Sequence, residues 1–137
     1  MSMDENQAKP PVPWRFITEE AIQRLNARLN IREDQYSQDW EFEVSESNRL
    51  PEYLDIYENE LTDEDDKFAL MWLIIQAVDG PDMDEAMWSR VREHLKADFS
   101  LHQWTVCYWC NLDEEDLEHC FDITPRLREL WHECRPA

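Results

Sequence analysis

A single glycine, Gly80, stands among 137 residues. Glycine-rich loops that cradle phosphates are therefore excluded. Tight hairpin turns also lean on glycine, which argues against an all-β fold. Basic residues are scarce as well: 13 Lys plus Arg face 32 Asp plus Glu, a formal net charge of −19. Contact with a polyanion needs the opposite sign, so direct binding to nucleic acid or to an anionic membrane is excluded. No stretch approaches the ~20 apolar residues that span a bilayer. The opening residues, Met1 to Lys9, show neither a basic start nor an apolar run, so no signal peptide is expected and the chain reads as cytoplasmic. In that compartment Cys107, Cys110, Cys120 and Cys134 are thiols or metal ligands rather than disulfides.

What is present is material for a core. Hydrophobic residues make up 42% of the chain and seven are tryptophans, enough to fold one domain against the charge. Residues 1–13, with Pro10, Pro11 and Pro13, read as a flexible lead-in. Residues 14–135 read as a single α-helical domain, with Trp14, Phe16 and Ile17 anchoring the chain to its core.

Periodicity predicts the helices. Thr18 caps a helix running to about Asn30, with Ala21, Ile22, Leu25 and Leu29 on one stripe. Residues 31–48 stay ambiguous, because Trp40, Phe42 and Val44 alternate with Glu41 and Glu43 as a strand would, while a poor helix fits as well. Arg49 to Asn59 is a helix with Pro51 in its first turn. Thr62 caps the next, with Asp65 at the third position, and from Phe68 to Val78 every residue but Gln76 is apolar. A helix that is apolar all round is buried, and Asp79-Gly80-Pro81 ends it with Gly80 as a left-handed cap. Asp84 to Ala97 carries Met87, Trp88, Val91 and Leu95 on one face. Ser100 starts a helix to about Asn111, on which Leu101, Trp104, Thr105, Tyr108 and Leu112 recur at helical spacing. A short acidic helix follows from Asp113, and Thr124-Pro125 opens the last one. The expected architecture is an all-α array of six to eight short antiparallel helices around a buried central helix at about residues 62–79.

Motifs for chemistry are sparse. Cys107 and Cys110 form a C-x-x-C and would lie about 60° apart on a helix, close enough to share zinc. His132 and Cys134 would lie roughly 200° apart and could not join them. Cys134 also completes the apolar stripe of Leu127, Leu130 and Trp131, which favours thiols acting as small hydrophobes. His94 looks exposed, and His102 looks like a capping or packing residue. No nucleophile elbow and no HExxH occur, so no enzyme, cofactor or metal is expected.

The acids cluster. Glu58, Glu60, Asp63, Glu64, Asp65 and Asp66 form one run. Asp113, Glu114, Glu115, Asp116 and Glu118 form a second, just after Tyr108 and Trp109. Asp39, Glu41, Glu43 and Glu46 form a third. Acids at helix N-termini and on solvated faces explain many positions but not so large an excess, since like charges destabilise a compact state. A basic partner would relieve it.

The succession Asp39-Trp40-Glu41-Phe42-Glu43-Val44, then Tyr57-Glu58-Asn59, then Asp66 through Ile75 resembles a group of small acidic helical bacterial proteins. Leu101-His102, Tyr108-Trp109 and Phe121 through Arg126 extend the likeness, which spans roughly residues 36–131. Members of such groups are similar to immunity proteins of polymorphic toxin systems, or are uncharacterised relatives. The resemblance implies a non-catalytic protein that neutralises a cognate toxin, a nuclease being one candidate. Asp63–Asp66 and Asp113–Glu118 are the expected docking acids, with Tyr108 and Trp109 as anchors and core packing as the competing reading of both. The alternatives are a nucleic-acid mimic that blocks a DNA- or RNA-binding protein, a helical regulatory or scaffold module, and an enzyme with an unrecognised site.

Overall fold

The computed structural model describes residues 12–31 and 40–135, and these contain seven α-helices and no strand. The all-α expectation holds. Most of the lead-in lies outside the described residues, but its end does not: Val12 is buried.

Helix α1, Glu19–Arg28, begins where Thr18 accepts a hydrogen bond from the Ala21 amide, and all four residues of its expected stripe are buried. Of the ambiguous residues 31–48, residues 32–39 lie outside the described residues, and Trp40–Glu43 form a single helical turn, α2. Trp40 and Val44 are buried one turn apart while Phe42 is exposed, which is helical rather than strand geometry. The Trp40 indole donates to Asn26 Oδ1 of α1 at 2.9 Å and ties the two elements together. A 3₁₀ turn, Ser47–Arg49, leads into α3, Leu50–Asn59, with Pro51 in its first turn where a missing amide costs nothing.

Helix α4, Glu64–Val78, is the core element: from Phe68 to Val78 all residues except Gln76 are buried, and the helix packs against α1, α2, α3, α5 and α6. Its start is shifted by one residue from the expected position. Asp63, not Thr62, is the N-cap, and its Oδ1 accepts the Asp65 and Asp66 amides at 2.8 and 3.2 Å. At the other end Gly80 is not a left-handed cap. Asp79 already turns extended, and Gly80 follows at φ +158°. The side chain of Asp79 then accepts the Ile123 amide at 2.8 Å, linking the end of α4 to the start of the last helix.

Helices α5, Glu85–Ala97, and α6, Phe99–Cys110, adjoin through Asp98, which ends the one and opens the other. Trp88, Val91 and Leu95 are buried, as the stripe on α5 requires. On α6 the expected stripe holds at Thr105, which is buried, and at Leu101 and Trp104, which pack partly buried against the core, but fails at its C-terminal end. The buried residues are His102, Thr105, Val106, Trp109 and Cys110, while Tyr108 and Leu112 are exposed. The helix is apolar on most faces, so spacing alone does not choose which one faces the core. No acidic helix starts at Asp113. Residues 111–123 form a loop with one 3₁₀ turn, Leu117–His119, before α7, Thr124–Cys134, which packs on α5 and α6.

One buried polar chain holds α3, α5 and α6 in register. The Tyr57 hydroxyl donates to Asp98 Oδ2 at 2.7 Å and lies 2.8 Å from His102 Nε2. A carboxylate only accepts, so the tyrosine proton points to Asp98 and His102 carries its hydrogen on Nε2. His102 is fully buried and desolvation pulls it down to about 3, so the ring is neutral. His94 is not simply exposed either: its Nε2 sits 2.7 Å from Glu58 and its ring lies over Tyr57.

Candidate functional site

The two main acidic runs have different surroundings. Around Asp63–Asp66 the charge is already matched. Arg24 of α1 places its Nη2 2.7 Å from Asp66 Oδ1 and 3.6 Å from Asp63. Arg15 lies 2.8 Å from Asp65. Asp66 is only 4% exposed, so it is an internal ion-pair residue and not a docking acid. Its pairing explains why it is tolerated there, since a buried charge without a partner is strongly destabilising. Asp63 is committed to the helix cap, and Glu64 remains exposed. The upstream acids are paired too: Glu58 with Arg90 and His94, Glu60 with Arg28. In the third run Asp39 lies outside the described residues, and Glu46 stands 3.7 Å from Arg49.

The run Asp113–Glu118 is not neutralised. Among the described residues no lysine or arginine side chain forms an ion pair with Asp113, Glu114, Glu115, Asp116 or Glu118. His119 places its Nδ1 3.9 Å from Glu114 and 3.8 Å from Asp116. Two of the acids shape the loop itself. Glu114 accepts the Asp116 amide at 3.2 Å, and Asp116 accepts the Glu118 amide at 3.0 Å. Asp113 and Glu115 face solvent. Among the described residues no hydrogen bond or ion pair joins this run to Asp63–Asp66.

A residue that the sequence did not single out holds this loop in place. Arg128 of α7 donates from Nε to the Cys110 carbonyl at 2.7 Å, and from Nη2 to the carbonyls of Asn111 and Glu114 at 2.6 and 2.8 Å. The last carbonyls of a helix have no partner within it, and here one guanidinium satisfies the end of α6. Asn111 takes the left-handed conformation, φ 48°, that turns the chain out of the helix. The sequence signal for Arg128 was weak: a base one turn into a helix is ordinary, and only the fold brings it beneath the preceding loop.

The two candidate anchors part company. Trp109 is 2% exposed, packed against Phe121 at 4.3 Å and Trp72 at 5.9 Å between ring centres. It belongs to the core and is corrected from anchor to packing residue. Tyr108, next to it, is 42% exposed. It stacks on Phe121 at the end of the acidic loop and meets Trp72 edge-on at 5.0 Å. A helix sends adjacent side chains about 100° apart, so burying Trp109 leaves Tyr108 outward.

The N-terminal aromatics were also misplaced. Trp14 and Phe16 are each 64% exposed rather than anchored in the core. They pack on one another at 4.4 Å, and Trp14 leans on Trp104 of α6 at 6.0 Å. Ile17 is partly buried against the core, as expected.

The cysteines are free thiols: Cys110 is buried, and Cys107, Cys120 and Cys134 are partly buried. Burial pushes the Cys110 thiol up to about 12. Among the described residues no group of three or more His, Cys, Asp and Glu converges as a metal site would, and no helix is long and apolar enough to cross a membrane. Comparison with family models, with curated proteins and with solved structures finds nothing that matches this chain.

Proposed function

We propose that this chain is a non-catalytic binding protein, an immunity protein that neutralises a cognate toxin by covering a basic surface. The observation that carries the reading is the loop of residues 111–121. Among the described residues its acids form no ion pair with an arginine or lysine, whereas Asp65, Asp66 and Glu58 each do. An acidic patch left unmatched while net charge stands at −19 suits fast capture of a positively charged protein. Arg128 keeps the loop preorganised, which reduces the entropy lost on docking. Exposed Tyr108 beside it supplies the large amphipathic side chain that binding hot spots favour. The partner of this reading is the product of a neighbouring toxin gene, a nuclease with a basic groove being one candidate.

The test is stopped-flow association with that neighbouring gene product. Reversing Asp113, Glu114 and Glu115 to lysine lowers the association rate on the order of tenfold at low salt, with the difference shrinking as salt screens the field. Asp113 and Glu115 are exposed, whereas Glu114 is partly buried and accepts the Asp116 amide, so the double variant Asp113→Lys with Glu115→Lys, which keeps that bond and leaves fold stability within about 0.5 kcal/mol, is measured alongside. An unchanged rate at low salt removes this loop as the docking surface.

A further inference from the structure

Large exposed hydrophobic side chains are not scattered over this molecule. Six occur among the described residues, and four of them, Trp14, Phe16, Phe42 and Tyr108, line one groove. The other two, Leu112 and Leu117, sit in the acidic loop that follows Tyr108. The groove has a volume of about 660 Å³ and runs between the segment 14–17, α2 and α6 over the face of α4. Its rings form two rows. Phe16, Trp14 and Trp104 follow one another at 4.4 and 6.0 Å, and Phe42, Trp72 and Tyr108 at 6.1 and 5.0 Å. Contiguous exposed apolar surface of this kind marks an interaction site.

We propose that this groove receives an arginine- or lysine-bearing segment of a basic protein partner, its cationic side chains lying against the rings. The inference rests on the reading of the chain as a binder of a basic protein and names where on the surface that partner is gripped.

Three observations select the occupant. The first is charge. A second copy of this chain would bring another −19 to the same face, and nucleic acid or anionic lipid would also be repelled. The second is ring chemistry: tryptophan and tyrosine faces attract cations, and arginine most often. The third is an internal precedent. The chain's own Arg15 lines this groove with its guanidinium 5.2 Å from the centre of the Phe68 ring and 2.8 Å from Asp65. A cation between a ring and a carboxylate is thus already the chemistry at one end. At the other end Tyr108 connects the groove to the unmatched acids of the loop, and the Glu41 carboxylate lies close enough to raise the Tyr108 hydroxyl further, after burial. A basic segment laid along the groove meets rings along its length and the unmatched acids of the loop at the Tyr108 end, while at the other end Asp65 is already paired with Arg15.

The test uses capped hexa-arginine as the probe, with capped hexa-glutamine as the neutral control, by calorimetry on the full chain. The variants are the double substitution Trp14→Ala with Phe16→Ala, and separately Tyr108→Ala. These side chains are largely outside the core, and circular dichroism checks that the variants fold. The proposal expects hexa-arginine to bind and hexa-glutamine not to bind. It expects the double variant to weaken hexa-arginine about tenfold, from the loss of two ring contacts. That ratio persists at high salt, because salt screens the acids far more than close ring contacts. Equal affinity for the wild type and the double variant means that hexa-arginine merely meets acidic surface, and overturns the proposal. Equal binding of the neutral peptide overturns it by making the groove a general apolar site. A wild-type dimer lost in the double variant overturns it in favour of a second copy. The two readings fail separately. If the toxin is captured at the wild-type rate by the double variant and hexa-arginine ignores the rings, the groove fails while toxin neutralisation stands. If the rings hold hexa-arginine and no neighbouring gene product is bound, the reverse holds.

Discussion

Replacing Arg128 with methionine removes the group that closes the end of α6. The methionine keeps most of the stem and loses the fork, so the change isolates the hydrogen bonds to the carbonyls of Cys110, Asn111 and Glu114. A hydrogen bond contributes about 1 kcal/mol net, and one to a charged donor about 1.5–3 kcal/mol. Three such bonds set an upper range, but Arg128 is only half-buried and water replaces part of what is lost. A destabilisation of about 2 kcal/mol follows, which for a chain of this size lowers Tm by roughly 8 °C. Urea denaturation reads the first quantity, and amide exchange across residues 111–121 reads the local effect. Exchange in that loop should accelerate more than in α4, whose core packing is untouched. Arg128→Lys recovers less than half of the loss, because an ammonium is a point donor that cannot reach three carbonyls in a fixed fork. A loss below about 0.5 kcal/mol, the ordinary range for a surface substitution, with unchanged loop exchange would refute the clamp.

Two further outcomes follow from buried groups. His102 is held near 3 in the folded chain and returns to about 6.5 on unfolding, so the unfolded state takes up the proton first as pH falls. Its contribution to stability is complete above pH 6.5 and declines by roughly 1.4 kcal/mol per pH unit from there toward pH 3. The stability gap between wild type and His102→Gln, measured in urea at pH 7 and again near pH 4.5, should therefore narrow by about 2–3 kcal/mol; a constant gap refutes the assignment. Cys110 is fully buried with its thiol pushed up to about 12, so a thiol reagent at pH 8 should leave it unmodified until the chain unfolds. Peptide mapping that finds Cys110 labelled as fast as in denaturant shows the site to be open.

The amino-acid sequence by itself determined that this protein is helical and where most helices run. The reason is local: Thr18 and Asp84 cap their own helices, Pro51 and Pro125 occupy first turns, and the run Phe68–Val78 has no exposed face to offer. Each of these signals is decided within a few residues. Only tertiary packing decided the rest. It turned Trp109 inward and Tyr108 outward on a helix apolar on most sides, left Trp14 and Phe16 on the surface, and made a helix of the alternating Trp40–Val44 segment. It also matched Asp65 and Asp66 with Arg15 and Arg24, distant in the chain, while among the described residues Asp113–Glu118 form no ion pair with a lysine or arginine. A run of acids reads the same in sequence whether or not a base waits across the fold, because charge pairing depends on distance in space. For that reason the sequence carried the sign of the surface, and the fold decided which part of it faces outward unmatched.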